Sequence, residues 1–245
     1  MWRYWDEVIE PVLSAGAVRT IVEIGAANGL NTARLVEWAA ANGAVVHVID
    51  PKPQFDVEDV ERRFQEAFVM HRARSLEALP ALEPPDAALI DGDHNWYTVN
   101  HELRLLERMS RQWPITFLHD VGWPYGRRDM YYDPDTVPTD FRQPYERSGL
   151  IFGRSRLSSN GGNVKLANAA HEGGDRNGVL TAVEDFMDES EHELELFAVQ
   201  GPNGLGLLLD RAGLETDAGR VVERVHDQEL ALRLSPRHAS RYFDR

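Results

Sequence analysis

Two short polar runs gather the residue types that proton and cation chemistry need, Asp91-Gly92-Asp93-His94 and His119-Asp120. Carboxylates bind hard divalent cations through oxygen, and an imidazole, titrating near ~6.5 when unperturbed, exchanges a proton at working pH. Side chains gathered in this way serve either a divalent cation or general acid–base catalysis. A third run, Glu23-Ile24-Gly25-Ala26-Ala27-Asn28-Gly29, has glycines that let backbone approach a ligand closely and amides that can face an anion or a carboxylate. Asp50 follows, able to accept two hydrogen bonds from ribose hydroxyls. Directly behind His119-Asp120 come Trp123, Tyr125, Arg127, Arg128, Tyr131 and Tyr132. Rings and guanidinium groups there can stack on and hydrogen-bond a flat or sugar-like acceptor and shut out water.

These groups act together only if the fold brings them to one place. Val18 to Ile24, Ala44 to Ile49, Phe68 to His71, Ala87 to Ile90 and Ile115 to Leu118 read as short strands rich in apolar and β-branched residues. Between them, Asn31 to Ala41, Val57 to Ala67, Ser75 to Leu82 and Tyr97 to Met109 have helical character. Strands and helices alternating through short turns form right-handed crossovers and a mostly parallel sheet, and such sheets bind ligands beyond the carboxyl ends of their strands. Gly25, Asp50, Asp91, His94, His119 and Asp120 all fall just after strand ends, so they should converge on one edge.

The ends of the chain complete the outline. Trp2, Trp5, Val8, Ile9 and Val12 recur at helical spacing, giving an N-terminal helix over residues 1–15. From 121 to 177 the periodicity disappears, the pattern of a lid or binding insertion, and its aromatics argue against simple disorder. Its last segment, His171 to Gly178, could hinge it. A helix over Gly178 to Met187 and strands over Glu193 to Val199 and Leu205 to Leu209 follow, then a charged helical extension over 211–245 with an Arg-rich tail. No internal repeat and no linker divides the chain, so 1–245 reads as a single domain.

Composition excludes several functions. With no Cys among 245 residues, disulfide frameworks, zinc–thiolate sites and cysteine nucleophiles are absent. A formal charge of −14 disfavours non-specific nucleic-acid binding, which is driven by basic side chains neutralising phosphates. No apolar run approaches the ~20 residues of a membrane span, and the acidic start does not suit a signal peptide. The expectation is a cytoplasmic protein without nucleic-acid or membrane partners, acting on a small-molecule acceptor, with a homo-oligomer left open.

The run Glu23-x-Gly25-x-x-x-Gly29, with Asp50 at the end of the next strand, resembles motif I of the class I methyltransferases that use S-adenosylmethionine. The resemblance spans roughly residues 15 to 210 and implies a Rossmann-like, doubly wound α/β fold. Its seven-stranded sheet would be mostly parallel with an antiparallel last strand, helices on both faces and a long insertion after the fifth strand. It places Glu23, Gly25, Ala26, Asn28, Gly29, Asp50, Ser75 and Asp91 around the cofactor, Glu23 near the methionine amino end and Ser75 near the adenine. Arg74 departs from the acidic residue common before that serine. Asp91-Gly92-Asp93-His94 and His119-Asp120 are similar to the D-G-S-H and E-D runs of metal-dependent O-methyltransferases that act on macrolide sugars. The likeness makes Asp91 and Asp120, with His119, ligands for Mg or Mn and His94 the general base. His119 stands where that family has Glu, and imidazole suits Mn better than Mg. Asp93 and His101 stay outside the catalytic set. The expected reaction is methylation of an acceptor oxygen on a sugar or another hydroxylated small metabolite of specialised metabolism. Two alternatives are a dinucleotide-dependent oxidoreductase, opposed by Ala27 where G-x-G-x-x-G needs glycine, and a non-catalytic cofactor-binding interaction protein.

Overall fold

The computed structural model describes residues 1–201 and 203–234. The part of the C-terminal tail over 235–245 lies outside the described residues. Five strands, β1 (Thr20–Ile24), β2 (Val45–Ile49), β3 (Phe68–His71), β4 (Ala87–Ile90) and β5 (Ile115–His119), pair in parallel in the order β3-β2-β1-β4-β5. The connecting helices are α2 (Leu30–Asn42), α3 (Val57–Phe64), α4 (Ser75–Ala78) and α5 (Trp96–Met109), with α1 (Glu10–Ala15) before β1. An insertion follows β5, then α6 (Val179–Glu189), β9 (Leu194–Val199) and β10 (Leu205–Asp210). β10 inserts between β5 and β9 and runs antiparallel to both, giving the expected seven strands with one reversed.

Alternation along each strand divides the core into two layers, one on each face of the sheet. Ile21, Val46, Val48, Leu89 and Phe117 pack with Leu35 and Val36 of α2, with Trp5, Ile9 and Leu13 of the N-terminal segment, and with Ala218 and Val222 of α8 (Asp217–Leu234). Val22, Ile49, Ala88, Ile90 and Leu118 pack against Val99, Leu103 and Leu106 of α5 and Val183 and Phe186 of α6. The apolar stripe read at the N-terminus is buried from Trp5 onward, whereas Trp2 stands 45% exposed beneath Arg3. A short α7 (Arg211–Leu214) precedes α8.

The insertion is more ordered than its sequence suggests. β6 (Met130–Tyr131), β7 (Tyr145–Arg147) and β8 (Ala167–Ala169) form a three-stranded antiparallel sheet in the order β6-β8-β7. Strands of two or three residues are too short to show a period. Side chains bonded to backbone stitch this sheet together: Asn168 Nδ2 donates to the carbonyls of Ser148 and Asn163, and Arg128 donates to those of Ala169 and Ser155.

Candidate active site

β1 and β4 end side by side, and their turns touch. Gly25 has φ +86°, and a Cβ there would lie 2.3 Å from the Asp91 carbonyl oxygen. Gly29, at φ +76°, caps the start of α2 beneath Phe55. The amides of Ala26 and Ala27 do not wait for an external anion, because both donate to Asp50 Oδ2 at 2.9 Å. Asp50 Oδ1 accepts from the Lys52 amide at 2.7 Å. Three of about four acceptor positions on this carboxylate are thus used, leaving one for a ribose hydroxyl rather than the two expected. Asn28 lies in the same turn, between Ala27 and Gly29. Glu23 is buried within β1 and accepts from Asn31 Nδ2 at 2.8 Å and Thr32 Oγ1 at 2.6 Å. Burial pushes its carboxyl up to about 7 despite those two donors. Glu23 therefore ties β1 to the first turn of α2. Ser75 is also turned inward, its hydroxyl committed to the buried Glu102.

Beyond β4 and β5 the predicted acids and imidazoles do converge. His119 Nδ1 lies 2.9 Å from Asp91 Oδ1 and 2.7 Å from Asp120 Oδ2. Burial alone would lower the His119 pKa, but hydrogen bonds to Asp120 and Asp91 prevail and push it up to about 9. Asp120 is 1% exposed at φ +64°; burial opposes its ionisation, yet His94 and His119 hold it below the usual carboxylate range. Met1 places its ammonium 3.1 Å from Asp91 Oδ2. His94 Nδ1 is 3.3 Å from Asp120 Oδ2, and His94 Nε2 is 3.3 Å from the Tyr132 hydroxyl. The His94 ring stacks on Tyr125, with centroids 5.4 Å apart and planes within 3°.

The same cluster meets the elementary requirements of a cation site. Asp91, His94 and Asp120 each present one ligand atom, all within 4.8 Å of one another. Asp120 Oδ1 is buried without a hydrogen-bond partner, a free acceptor of the kind a cation satisfies. Oxygen with nitrogen donors suits Mn or Fe better than Mg. His119, expected as a ligand, instead has Nδ1 spanning the two carboxylates as a hydrogen-bond donor.

Residues 22–121, the stretch from β1 to just past Asp120, match the family model of a methyltransferase domain. Over those residues the chain is similar to a methyltransferase domain. No curated protein matches the sequence. Among solved structures, the SAH-bound methyltransferase PaMTH1 of Podospora anserina shares 11% identity with a TM-score of 0.50, over 79% of this chain and 72% of that one. Cofactor-bound Rv0187 from MTB shares 18% identity with a TM-score of 0.49, over 82% and 78%. The likeness to PaMTH1 is one of fold.

The insertion lies outside the matched residues, and its six candidate substrate residues part company. Tyr125 and Tyr132 line the His94 ring. Trp123, 40% exposed, meets Phe152 edge to face at 5.4 Å. The other three are turned to structural work. Arg127 binds Glu184 and Thr181 of α6, Arg128 is 1% exposed and spans two carbonyls, and Tyr131 is buried with its hydroxyl on Asp129. A guanidinium among aromatics looks the same in sequence whether it meets a substrate or a carbonyl. Asp129 and Asn177, which fasten the insertion to the helices, carried no signal of spacing or type.

Proposed function

We propose that this methyltransferase moves the methyl group of S-adenosylmethionine to a hydroxyl oxygen of a small acceptor, a sugar or another hydroxylated metabolite of specialised metabolism. One observation supports this best: Asp120, His94 and Tyr132 form a polar chain beside the glycine turn, ending in a hydroxyl. With Nδ1–H donated to Asp120, the His94 tautomer leaves the Nε2 lone pair for an incoming hydroxyl. The Tyr132 phenol occupies the place that an acceptor hydroxyl would take.

The cofactor would lie across the β1 and β4 turns, over Gly25, Ala26, Asn28 and Gly29, with Asp50 on its ribose. Asp91 would face its reacting end. The sulfonium already makes the methyl an electrophile, so the protein's tasks are to align the oxygen with it and remove the proton. His94 takes that proton, and Asp120 stabilises the imidazolium that results. Tyr125 holds the His94 ring flat, and the insertion screens the site as a lid. When bound, a divalent cation would be held by Asp91 and Asp120 and would lower the pKa of the acceptor hydroxyl.

The test is His94→Gln, assayed with radiolabelled S-adenosylmethionine against a panel of glycosides, catechols and hydroxy acids. Turnover of the acceptor used by the wild type should fall about 100-fold or more, with S-adenosylhomocysteine affinity unchanged. Wild-type turnover in the variant would remove His94 from the mechanism. Activity confined to amine acceptors would remove the oxygen specificity.

A further inference from the structure

We infer that Asp129 is a positioning residue for His94, tying the starts of two helices and the insertion into one joint behind its ring. Asp129 is completely buried. Its Oδ1 accepts from the Trp96 amide at 2.8 Å and the Gly178 amide at 2.7 Å, so the N-terminal ends of α5 and α6 converge on one carboxylate oxygen. Both helix dipoles favour a negative charge there. Oδ2 accepts from the Tyr131 hydroxyl at 2.8 Å, and that hydroxyl accepts from the Gln143 amide at 2.8 Å. The Asp129 amide donates to Asn177 Oδ1 at 2.7 Å. Burial pushes the carboxyl up to about 6, with Trp96, Gly178 and Tyr131 opposing the shift.

The joint reaches His94 through the backbone and through the ring on which it stacks. Trp96 lies two residues after His94, and Asn95 between them caps α5 through the Thr98 amide. The residue after Asp129, Met130, donates its amide to the His94 carbonyl at 2.9 Å. The residue after Gly178, Val179, donates its amide to the carbonyl of Tyr125, the ring on which His94 stacks. The His94 carbonyl, the backbone that follows it and the aromatic platform beneath its ring are therefore all referred to one buried carboxylate. A displacement of about 1 Å at a base can cost about 100-fold in rate, so a joint of this kind bears directly on turnover.

The inference rests on His94 as the base, and its test separates the two claims. Asp129→Asn keeps an acceptor for the two helix amides but puts an NH2 group where the Tyr131 hydroxyl donates, leaving that buried O–H without its acceptor. The His94 ring can be observed without any acceptor by NMR of protein labelled with 15N-histidine, its signals assigned by their loss in His94→Gln. In Asp129→Asn, with circular dichroism confirming a folded chain, the His94 Nδ1–H signal should be lost to solvent exchange. The signals of His47 and His71, paired with each other on β2 and β3, should stay unchanged as a control. Unchanged His94 signals in a folded Asp129→Asn protein would overturn the inference. If that variant does not fold, Tyr131→Phe decides on the same terms, since it removes one donor and leaves the carboxylate. Wild-type turnover in His94→Gln would refute the base while leaving the ring signals to report on the joint.

Discussion

Gly25→Ala separates two costs that a single substitution elsewhere would confuse. Gly153, Gly29 and Gly25 all have positive φ, at +75°, +76° and +86°, but they differ in what an added Cβ would meet. At Gly153 nothing lies within 4 Å, so Ala there feels only the left-handed backbone, about 1 kcal/mol. At Gly29 the Cβ would meet the Phe55 ring at 2.9 Å, a side chain that can rotate away, for a total of about 1–2 kcal/mol. At Gly25 it would lie 2.3 Å from the Asp91 carbonyl oxygen and 2.5 Å from the Gly92 Cα. Those atoms are backbone, so the β1 and β4 turns must part by about 1 Å, and overpacking of that kind raises the total to about 3 kcal/mol. Urea unfolding of the three variants should give the order Gly153→Ala, Gly29→Ala, Gly25→Ala, and a chain of ordinary stability survives the worst of them. Because the turns that part are those proposed to flank the cofactor, Gly25→Ala should also weaken S-adenosylhomocysteine binding about tenfold, with Gly153→Ala unaffected. Equal unfolding free energies for Gly25→Ala and Gly153→Ala, with equal affinities, would refute the close approach of the two turns.

Other consequences can be checked on the same protein. Glu23 titrates at about 7 in the fold against 4.5 unperturbed, so the folded state holds its proton more tightly. Its contribution is therefore lost as pH rises from 4.5 through 7, by about 3 kcal/mol in all. Glu23→Gln should gain stability relative to wild type between pH 5 and pH 8 in urea melts, and an equal difference at both pH values would contradict the assignment. Arg128→Met keeps the stem but leaves the carbonyls of Ala169 and Ser155 without their donor. Loosening the insertion by about 2 kcal/mol should open residues 151–165 to limited proteolysis without changing S-adenosylhomocysteine affinity, and unchanged cleavage would show that Arg128 braces nothing.

The sheet was legible because its strands are buried on both faces. Ala87 to Ile90 is apolar without interruption, Val18 to Ile24 is broken only by Arg19, Thr20 and Glu23, and each ends in a turn of glycine and polar residues, so strand ends and site edge came from one pattern. The gathering of Asp91, His94, His119 and Asp120 followed from topology alone, since parallel neighbours deliver their carboxyl ends to one side. Spacing could not reveal which nitrogen faces which oxygen. His119 is spaced like a ligand, yet its Nδ1 lies between two carboxylates. Asp50, expected from the sequence as a ribose acceptor, is mostly occupied by its own turn. The insertion was illegible for a different reason: its order comes from bonds between residues distant in sequence, Asp129 with Gly178 and Arg128 with Ala169, which leave no periodic trace.

The central claim is that the glycine turn beside Asp50 holds S-adenosylmethionine. Calorimetric titration of the purified protein with S-adenosylhomocysteine, with NAD as the control ligand and Asp50→Ala as the control protein, tests it most directly. The account predicts micromolar binding of S-adenosylhomocysteine to the wild type, weakened at least about tenfold in Asp50→Ala, and no heat from NAD. Binding of NAD, or no binding of S-adenosylhomocysteine, would contradict it.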